Sequence, residues 1–406
     1  MNITLTYEQE YVVNAAVKWF KDSPEPLFQI EGPAGTGKSV VLANIISRLG
    51  LREEEILPMA YTGQAVSVMR MKGLSSAVTC HSGLFVYLEV PIIDDDGNYI
   101  MDTKLNKPKT VMRRFDKDLK SSYPELKLII IDECWMVPAS FKKHIDKTGY
   151  KVIAAGDSSQ LPPIKENPAY LVYGKVYHLT QLMRQSADSA IVQVALAAKN
   201  GERLQYGSYN NGEVIITDHY PSAKTFGIVD VTLCGYVKTR NDINNSYRYD
   251  YLHANSPLPL PGEKMVCRMN NWEKSSCGIS LTNGLNGIVY NTPINLELGV
   301  KDNIFKMDFT TNIGVSFKRL SCDYNFLLGD EESRRIIKED KHKRRIGNKF
   351  DYGYSCTVHS SQGSEYGRGI YIYENLPGDN RSLHYTAITR FRNQLVIIIP
   401  PGTKYY

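Results

Sequence analysis

Apolar positions along this chain follow two periods, and their alternation predicts the architecture. Short, largely apolar runs recur at Leu27-Phe28-Gln29-Ile30, Ile56–Ala60, Leu128–Ile131, Val152–Ala155, Val214–Ile216, Val231–Leu233, Gly369–Tyr373 and Leu395–Ile399. Runs of that length suit strands buried on both faces of a parallel sheet. Between them, apolar residues recur at helical spacing. Val12, Val13, Ala16, Val17 and Phe20 form one such face, behind Thr6 as a candidate N-cap. Val40, Val41, Ala43, Ile45, Ile46 and Leu49 form the next. Helices are also expected at Ala65–Met71, about Ser140–Lys147, Ser189–Asn200, after Thr239, and at Asn380–Arg390. Strands alternating with helices predict an α/β fold.

The alternation breaks twice. Val90-Pro91-Ile92-Ile93, the acidic turn Asp94–Asn98 and Tyr99-Ile100-Met101 predict a hairpin. A segment rich in Lys and Arg follows it (Lys104, Lys107, Lys109, Arg113, Arg114, Lys117). Further on, Pro257, Pro259 and Pro261 mark a boundary. After it come short strands at Lys264–Met269, Gly287–Tyr290, Ile294–Leu298, Ile304–Phe309 and Gly314–Phe317, the pattern of a small β-barrel. Residues 330–349 are densely charged, ending in Lys341, Lys343, Arg344 and Arg345, and read as a solvated face. The expected division is therefore 1–85 with 123–186 as a first α/β domain, 86–122 as a hairpin insertion, 187–256 with 346–406 as a second α/β domain, and 257–345 as a β-barrel insertion.

Composition narrows this only a little. The chain has 406 residues, enough for several cores, with 42% hydrophobic and 22% charged residues as in soluble globular proteins. A net charge of +5 permits a nucleic-acid partner without demanding one. The seven cysteines are scattered and include no C-x-x-C pair, which argues against a disulfide framework or zinc site and for a reducing compartment. No basic stretch followed by an apolar run opens the chain, and no apolar run is long enough to span a membrane. A cytoplasmic protein is expected.

The chemistry is concentrated at predicted strand ends, where open parallel sheets place their ligands. Gly32-Pro33-Ala34-Gly35-Thr36-Gly37-Lys38-Ser39 is a complete phosphate-binding loop between a strand and a helix. Its glycines let backbone N–H groups turn inward onto phosphate oxygens. Lys38 would reach the β- and γ-phosphates and Ser39 would ligate Mg²⁺. The strand ending at Asp132 offers a second Mg²⁺ contact, and Glu133 beside it could polarise an attacking water. Gln160, in Gly156-Asp157-Ser158-Ser159-Gln160-Leu161-Pro162-Pro163, could hold that water. Arg184 and Arg390 are candidate arginine fingers.

Taken in order, these frames resemble a superfamily 1 helicase. Gln9 falls at the Q-motif, GPAGTGKS at motif I, AYTGQA and TCHS at Ia and Ib, IIIDECWM at II and GDSSQLPP at III. LTQLMRQ, TVHSSQGSEY and HYTAITR follow as IV, V and VI. The similarity extends over nearly the whole chain, to the RecD-like branch and within it to compact phage helicases of the Dda type. It implies two RecA-like domains with parallel sheets and ATP with Mg²⁺ between them. It also implies a hairpin insertion (1B) acting as a strand-separating pin near residue 96, and an SH3-like β-barrel insertion (2B). Gln9 would read adenine, and Gly363–Glu365 would approach the nucleotide from the second domain. Thr62, Thr79, His81, Thr357 and His359 match positions that contact the backbone of single-stranded DNA. The implied protein is a monomeric ATP-dependent DNA helicase travelling 5′ to 3′ on single strands and acting at single-strand/duplex junctions. Single-strand-binding or replication proteins are its expected companions, in a prokaryotic or phage-infected cell. Gln64, Trp135 and Ser360 depart from the usual pattern, which more often has Lys, a Ser-containing pair and Lys there. Direction of travel does not follow from the residues themselves. The alternatives are an RNA helicase or remodeller with the same motor, a small-molecule P-loop kinase, and a non-catalytic DNA clamp.

Overall fold

The computed structural model describes residues 4–94, 98–102, 107–108, 110–183, 188–277, 279–292, 300–312, 314–340 and 346–403. In the first α/β domain the apolar runs become a parallel six-stranded sheet. Its order is Val176–His178, Leu27–Glu31, Lys151–Gly156, Leu128–Asp132, Ile56–Ala60, Val78–Thr79. The central strand shows why an all-apolar run is needed. Leu128 and Ile130 pack on the side of Val41 and Ile45 from the P-loop helix. Ile129 and Ile131 pack on the other side, with Phe141 and Ile145. Helix Tyr7–Asp22 starts with a capping box in which Thr6 and Gln9 exchange side-chain and backbone hydrogen bonds. Sequence pattern did not predict the edge strand Val176–His178. Its three residues are too few to show a period, and it is held by stacking of Tyr177 on Phe28, with centroids 4.3 Å apart.

The second α/β domain repeats the plan. Its sheet runs Gly207–Tyr209, Val214–Thr217, Phe391–Ile398, Tyr366–Ile372, Val231–Cys234, Ser355–Thr357. It is parallel except for the first edge strand. Helix Arg381–Ile388 is buried almost all round, from Leu383 to Ile388, including His384, Tyr385 and Thr386. Polar groups buried on a helix need partners, and several of these find theirs in the first domain.

Within the expected insertion, 86–122, the paired strands extend beyond the hairpin expected at 90–101. Phe85–Pro91 pairs antiparallel with Thr110–Asp116, so part of the basic segment is a return strand. Nearer the tip, Ile93 and Tyr99 form a bridge. Residues 95–97 of the expected acidic turn lie outside the described residues. In the second insertion a sheet is ordered Val300–Lys301, Ile304–Thr311, Asn286–Asn291, Lys264–Cys267, Phe350–Tyr352, with Ser316–Asp323 also paired to Ile304–Thr311. Its core holds Met265, Leu281, Val289, Phe305, Met307, Phe309 and Leu320. Three expectations need adjustment. The strand expected at 314–317 begins at Ser316, because Gly314 turns the chain at φ +81°. The strand expected at 294–298, like Lys341, Lys343, Arg344 and Arg345, lies outside the described residues. Within the charged run, Glu331–Glu339 is a helix with structural work to do. Arg334 grips buried Asp351 through two bonds of 2.8 and 3.1 Å, and Arg240 and Arg268 approach the same carboxylate at 3.5 Å.

Candidate active site at the domain interface

The phosphate-binding loop joins strand Leu27–Glu31 to helix Lys38–Leu49. Gly37 sits at φ +80°, and a Cβ there would lie 2.5 Å from Gln9 Nε2 and 3.3 Å from Met183 Sδ, so only glycine fits. Lys38 Nζ donates to Gly32 O at 2.5 Å and to Pro33 O at 3.3 Å, folding the ammonium over the loop. Gln9 lies beneath it, donating from Nε2 to Thr36 O at 2.9 Å and accepting at Oε1 from Thr6 N at 3.0 Å. The backbone N–H of Met183 donates to Gly35 O at 2.9 Å, which brings the segment leading to Arg184 against the loop. Arg184 itself lies outside the described residues.

The acidic side is built at the end of strand Leu128–Asp132. Glu133 adopts a left-handed backbone, φ +51°, and its N–H donates to Asp132 Oδ1 at 3.0 Å. Such a conformation is strained for a residue with a side chain and recurs at functional sites. Burial, and then the charge of Glu133, push the Asp132 carboxyl up to about 6, against the opposing pull of Lys38 and Lys72. Ser39 Oγ and the Asp132 carboxylate are hard oxygen donors of the kind Mg²⁺ takes. Lys72 Nζ already donates to Ser39 Oγ at 3.2 Å, so the pocket tolerates positive charge. These residues fit the cation that the motifs imply.

Gln160 links this cluster to the second domain. Its Nε2 lies 3.5 Å from Glu133 Oε2, and its Oε1 accepts from Arg390 Nη2 at 3.0 Å. Both Gln160 and Arg390 are buried, and Arg390 also donates to Thr386 O and Ser364 O at 3.2 and 3.3 Å. Trp135, one of the departures from the usual pattern, donates from Nε1 to Gln160 O at 2.9 Å and so fixes that loop. Glu133, Gln160 and Arg390, singled out separately in the sequence, thus form one polar chain across the cleft.

Sequence reasoning missed several members of the interface. The Tyr385 hydroxyl donates to Asp157 Oδ2 at 2.7 Å and accepts from Ala34 N at 3.0 Å. Thr386 Oγ1 accepts from Leu161 N at 2.9 Å, and Gln362 Nε2 donates to Leu161 O at 2.8 Å. Lys72 lies 4.0 Å from Glu365, which also pairs with Arg392. The available signal was the polar residues Tyr385, Thr386 and Arg390 in a helical segment whose Leu383, Ala387 and Ile388 mark it as buried.

The residues expected at a DNA path sit at carboxyl ends of strands in both sheets. Thr62 and Thr79 cap the next helix, accepting from Ala65 N at 3.2 Å and Ser82 N at 3.1 Å. Thr357 Oγ1 and Ser360 Oγ lie 2.9 Å apart. His81 packs on Phe141 with centroids 4.7 Å apart, and burial, helped by the charge of Arg114, pushes its imidazole below the usual range. Burial does the same to His359. Thr62 meets the second domain directly: a Cβ on Gly363, at φ +79°, would lie 2.6 Å from Thr62 Oγ1. Gln64, where a Lys is more usual, donates to Gly284 O of the β-insertion. The structure therefore gathers Thr62, Gln64 and Gly363 at one junction, with Thr79 and His81 at a neighbouring strand end.

Residues 4–218 match the AAA domain family, and the chain belongs to that family. Two curated relatives are similar in sequence. One is the ATP-dependent DNA helicase RRM3 of Saccharomyces cerevisiae, 27% identical over 225 residues, covering 49% of this chain and 28% of that protein. The other is the ATP-dependent RecD2 DNA helicase of Deinococcus radiodurans, 25% identical over 280 residues, covering 66% of this chain and 35% of that protein. The chain thus spans about a third of the length of these relatives. Its fold is shared with the Pif1 helicase from Bacteroides solved with ADP-AlF3 and single-stranded DNA, at TM-score 0.56 and 18% identity over 98% of this chain and 95% of that one. It is shared also with Pif1 from Candida albicans, at TM-score 0.53 and 17% identity over 99% and 96%. The architecture is the two-domain α/β arrangement of those Pif1 structures. Among the described residues no helix is long and apolar enough to cross a membrane.

Proposed function

We propose that this chain is an ATP-dependent DNA helicase that moves along single-stranded DNA. The observation that carries the proposal is the contact of Arg390 with Gln160, 3.0 Å across the cleft, in line with Glu133. It makes the hydrolytic residues of one domain depend on a cation from the other. Lys38 and the loop Gly32–Gly37 would hold the phosphates, while Ser39 and Asp132 would hold Mg²⁺, which would neutralise phosphate charge. Glu133 orients the attacking water with help from Gln160. Arg390, with Arg184 as a second candidate, stabilises charge as the γ-phosphoryl leaves, a contribution of about 10³–10⁵ in rate where such residues act. Closure and reopening of the cleft then shift the grip of Thr62, Thr79 and His81 relative to Thr357 and His359 along the strand.

The finer reading is a compact, monomeric, Dda-type enzyme running 5′ to 3′. Gln9 and Gly363–Glu365 would sit beside the nucleotide, the Phe85–Asp116 hairpin would serve as pin, and the sheet of residues 264–352 as the SH3-like insertion. Its setting would be the cytoplasm of a prokaryotic or phage-infected cell. The DNA helicase activity of the curated relatives and the single-stranded DNA bound by Bacteroides Pif1 support DNA as the track. Hydrolysis of ATP is measured with matched DNA and RNA oligomers. Stimulation by DNA is expected, and stimulation by RNA alone would replace DNA as the track. Release of streptavidin from 3′-biotinylated but not 5′-biotinylated oligonucleotides is the expected sign of 5′ to 3′ travel. Release from the 5′ end alone would reverse the polarity.

A further inference from the structure

Helix Arg381–Ile388 carries a second group into the cleft besides the arginine that follows it. Tyr385 is 1% exposed, and both hydrogen bonds of its hydroxyl cross to the other domain. One runs 2.7 Å to the carboxylate of Asp157, itself 1% exposed, and the other receives the N–H of Ala34 over 3.0 Å. Ala34 belongs to the phosphate-binding loop. Asp157 lies in the loop that carries Gln160, whose N–H donates back to Asp157 O at 3.2 Å. A ring present only to fill space needs no hydroxyl, and a buried hydroxyl is costly unless paired. Here the pairing exists only while the domains are together.

We propose that Tyr385 is a positioning residue that couples the shape of the phosphate-binding loop to the placement of Arg390. This rests on the reading that the loop holds ATP. The geometry gives the coupling a direct route. The backbone N–H of Arg390 donates to Ala387 O at 3.3 Å, and its side chain donates to Thr386 O, so Arg390 is fastened to the helix that bears Tyr385. The phenol registers that helix against Ala34 and Asp157 at once. Thr386 adds a third point, on Leu161. When the loop changes shape, the Ala34 amide moves relative to the phenol, and the helix and Arg390 are released or held together. Tyr385 contributes no proton and no charge to the reaction.

Tyr385→Phe keeps the ring and removes only the hydroxyl. Two readouts test it in the full chain: hydrogen–deuterium exchange of a peptide spanning residues 32–37, and steady-state ATP hydrolysis with oligo(dT). Loss of the charge-assisted bond to Asp157 and of the bond from Ala34 N–H should speed exchange in that peptide about tenfold and lower kcat about tenfold, with KM for ATP within about twofold. Asp157→Asn, which weakens the same bond, should shift both readouts the same way by a smaller factor. Unchanged exchange and kcat in Tyr385→Phe would overturn the proposal. So would a rise in KM at unchanged kcat, which would make the phenol a nucleotide-binding group. If the unaltered chain hydrolyses no ATP, the helicase reading falls, and the exchange arm still decides whether the Tyr385 contact holds the loop.

Discussion

The two α/β domains have the same six-stranded plan and differ in how their strand-end groups are satisfied. In the first domain the functional loop is largely self-contained. Lys38 turns onto Gly32 O and Pro33 O, and Thr36 O is held by Gln9 from the same domain. In the second domain, the groups of helix Arg381–Ile388 and of Arg390 look outward. Tyr385, Thr386 and Arg390 pair with Asp157, Leu161 and Gln160 of the first domain. The loop of the first domain is thus held mostly by its own residues, whereas these side chains of the second domain are paired only when docked. In the proposed motor, that asymmetry would make hydrolysis conditional on closure.

Substitutions can break the comparison. The largest effect should come from Lys38→Ala, with hydrolysis reduced by about 10³ or more and nucleotide affinity weakened. Equilibrium binding of a fluorescent nucleotide and steady-state turnover check this together, and retained turnover would remove Lys38 from the mechanism. Arg390→Ala should lower turnover by about 10³ while nucleotide affinity stays within a few-fold, since the phosphate-binding loop belongs to the first domain. A parallel loss of affinity would mean that the second domain shares the binding work.

Two stability measurements sharpen the contrast. Ile130→Ala, at a fully buried position in the first sheet, should cost about 2–5 kcal/mol in urea unfolding, borne by the first domain. The second domain should be the more acid-sensitive. His384 is buried, stacked on Tyr373 with centroids 3.7 Å apart, and burial pushes its imidazole down to about 3 from an ordinary 6.5. The unfolded chain takes up a proton below pH 6.5, but the folded one does not until near pH 3. Stability is therefore undiminished above 6.5 and falls on acidification by up to about 1.4 kcal/mol per pH unit. His384→Gln should flatten that slope. An equal slope in both proteins, read from urea midpoints between pH 6.5 and 4.5, would move the acid sensitivity elsewhere.

Much of the fold was legible because parallel strands buried on both faces leave short apolar runs, as Leu128–Ile131 does. Val176–His178 and Gly207–Tyr209 were not legible, since three half-exposed residues carry no period. The return strand Thr110–Asp116 was hidden by its basic side chains, which face solvent on a two-stranded ribbon. Helix Glu331–Glu339 was hidden the same way, its charges masking a single buried Ile337 and an Arg334 turned inward on Asp351. At the site, Lys38, Ser39, Asp132 and Glu133 could be named as candidates because their placement follows from local backbone: a glycine loop before a helix and a carboxylate at a strand end.

The sequence by itself determined the phosphate-binding loop, the carboxylates at the strand end, and the α/β alternation that carries them, since each depends on neighbours a few residues away. Only the tertiary structure decided that Gln160 lies between Glu133 and Arg390, that Trp135 and Gln64 fix neighbouring loops, and that Tyr385 reaches Ala34. Those contacts join residues far apart in the chain. They form because buried polar groups must find partners, and for Gln160 with Arg390 and Ala34 with Tyr385 the partner stands on the opposite domain.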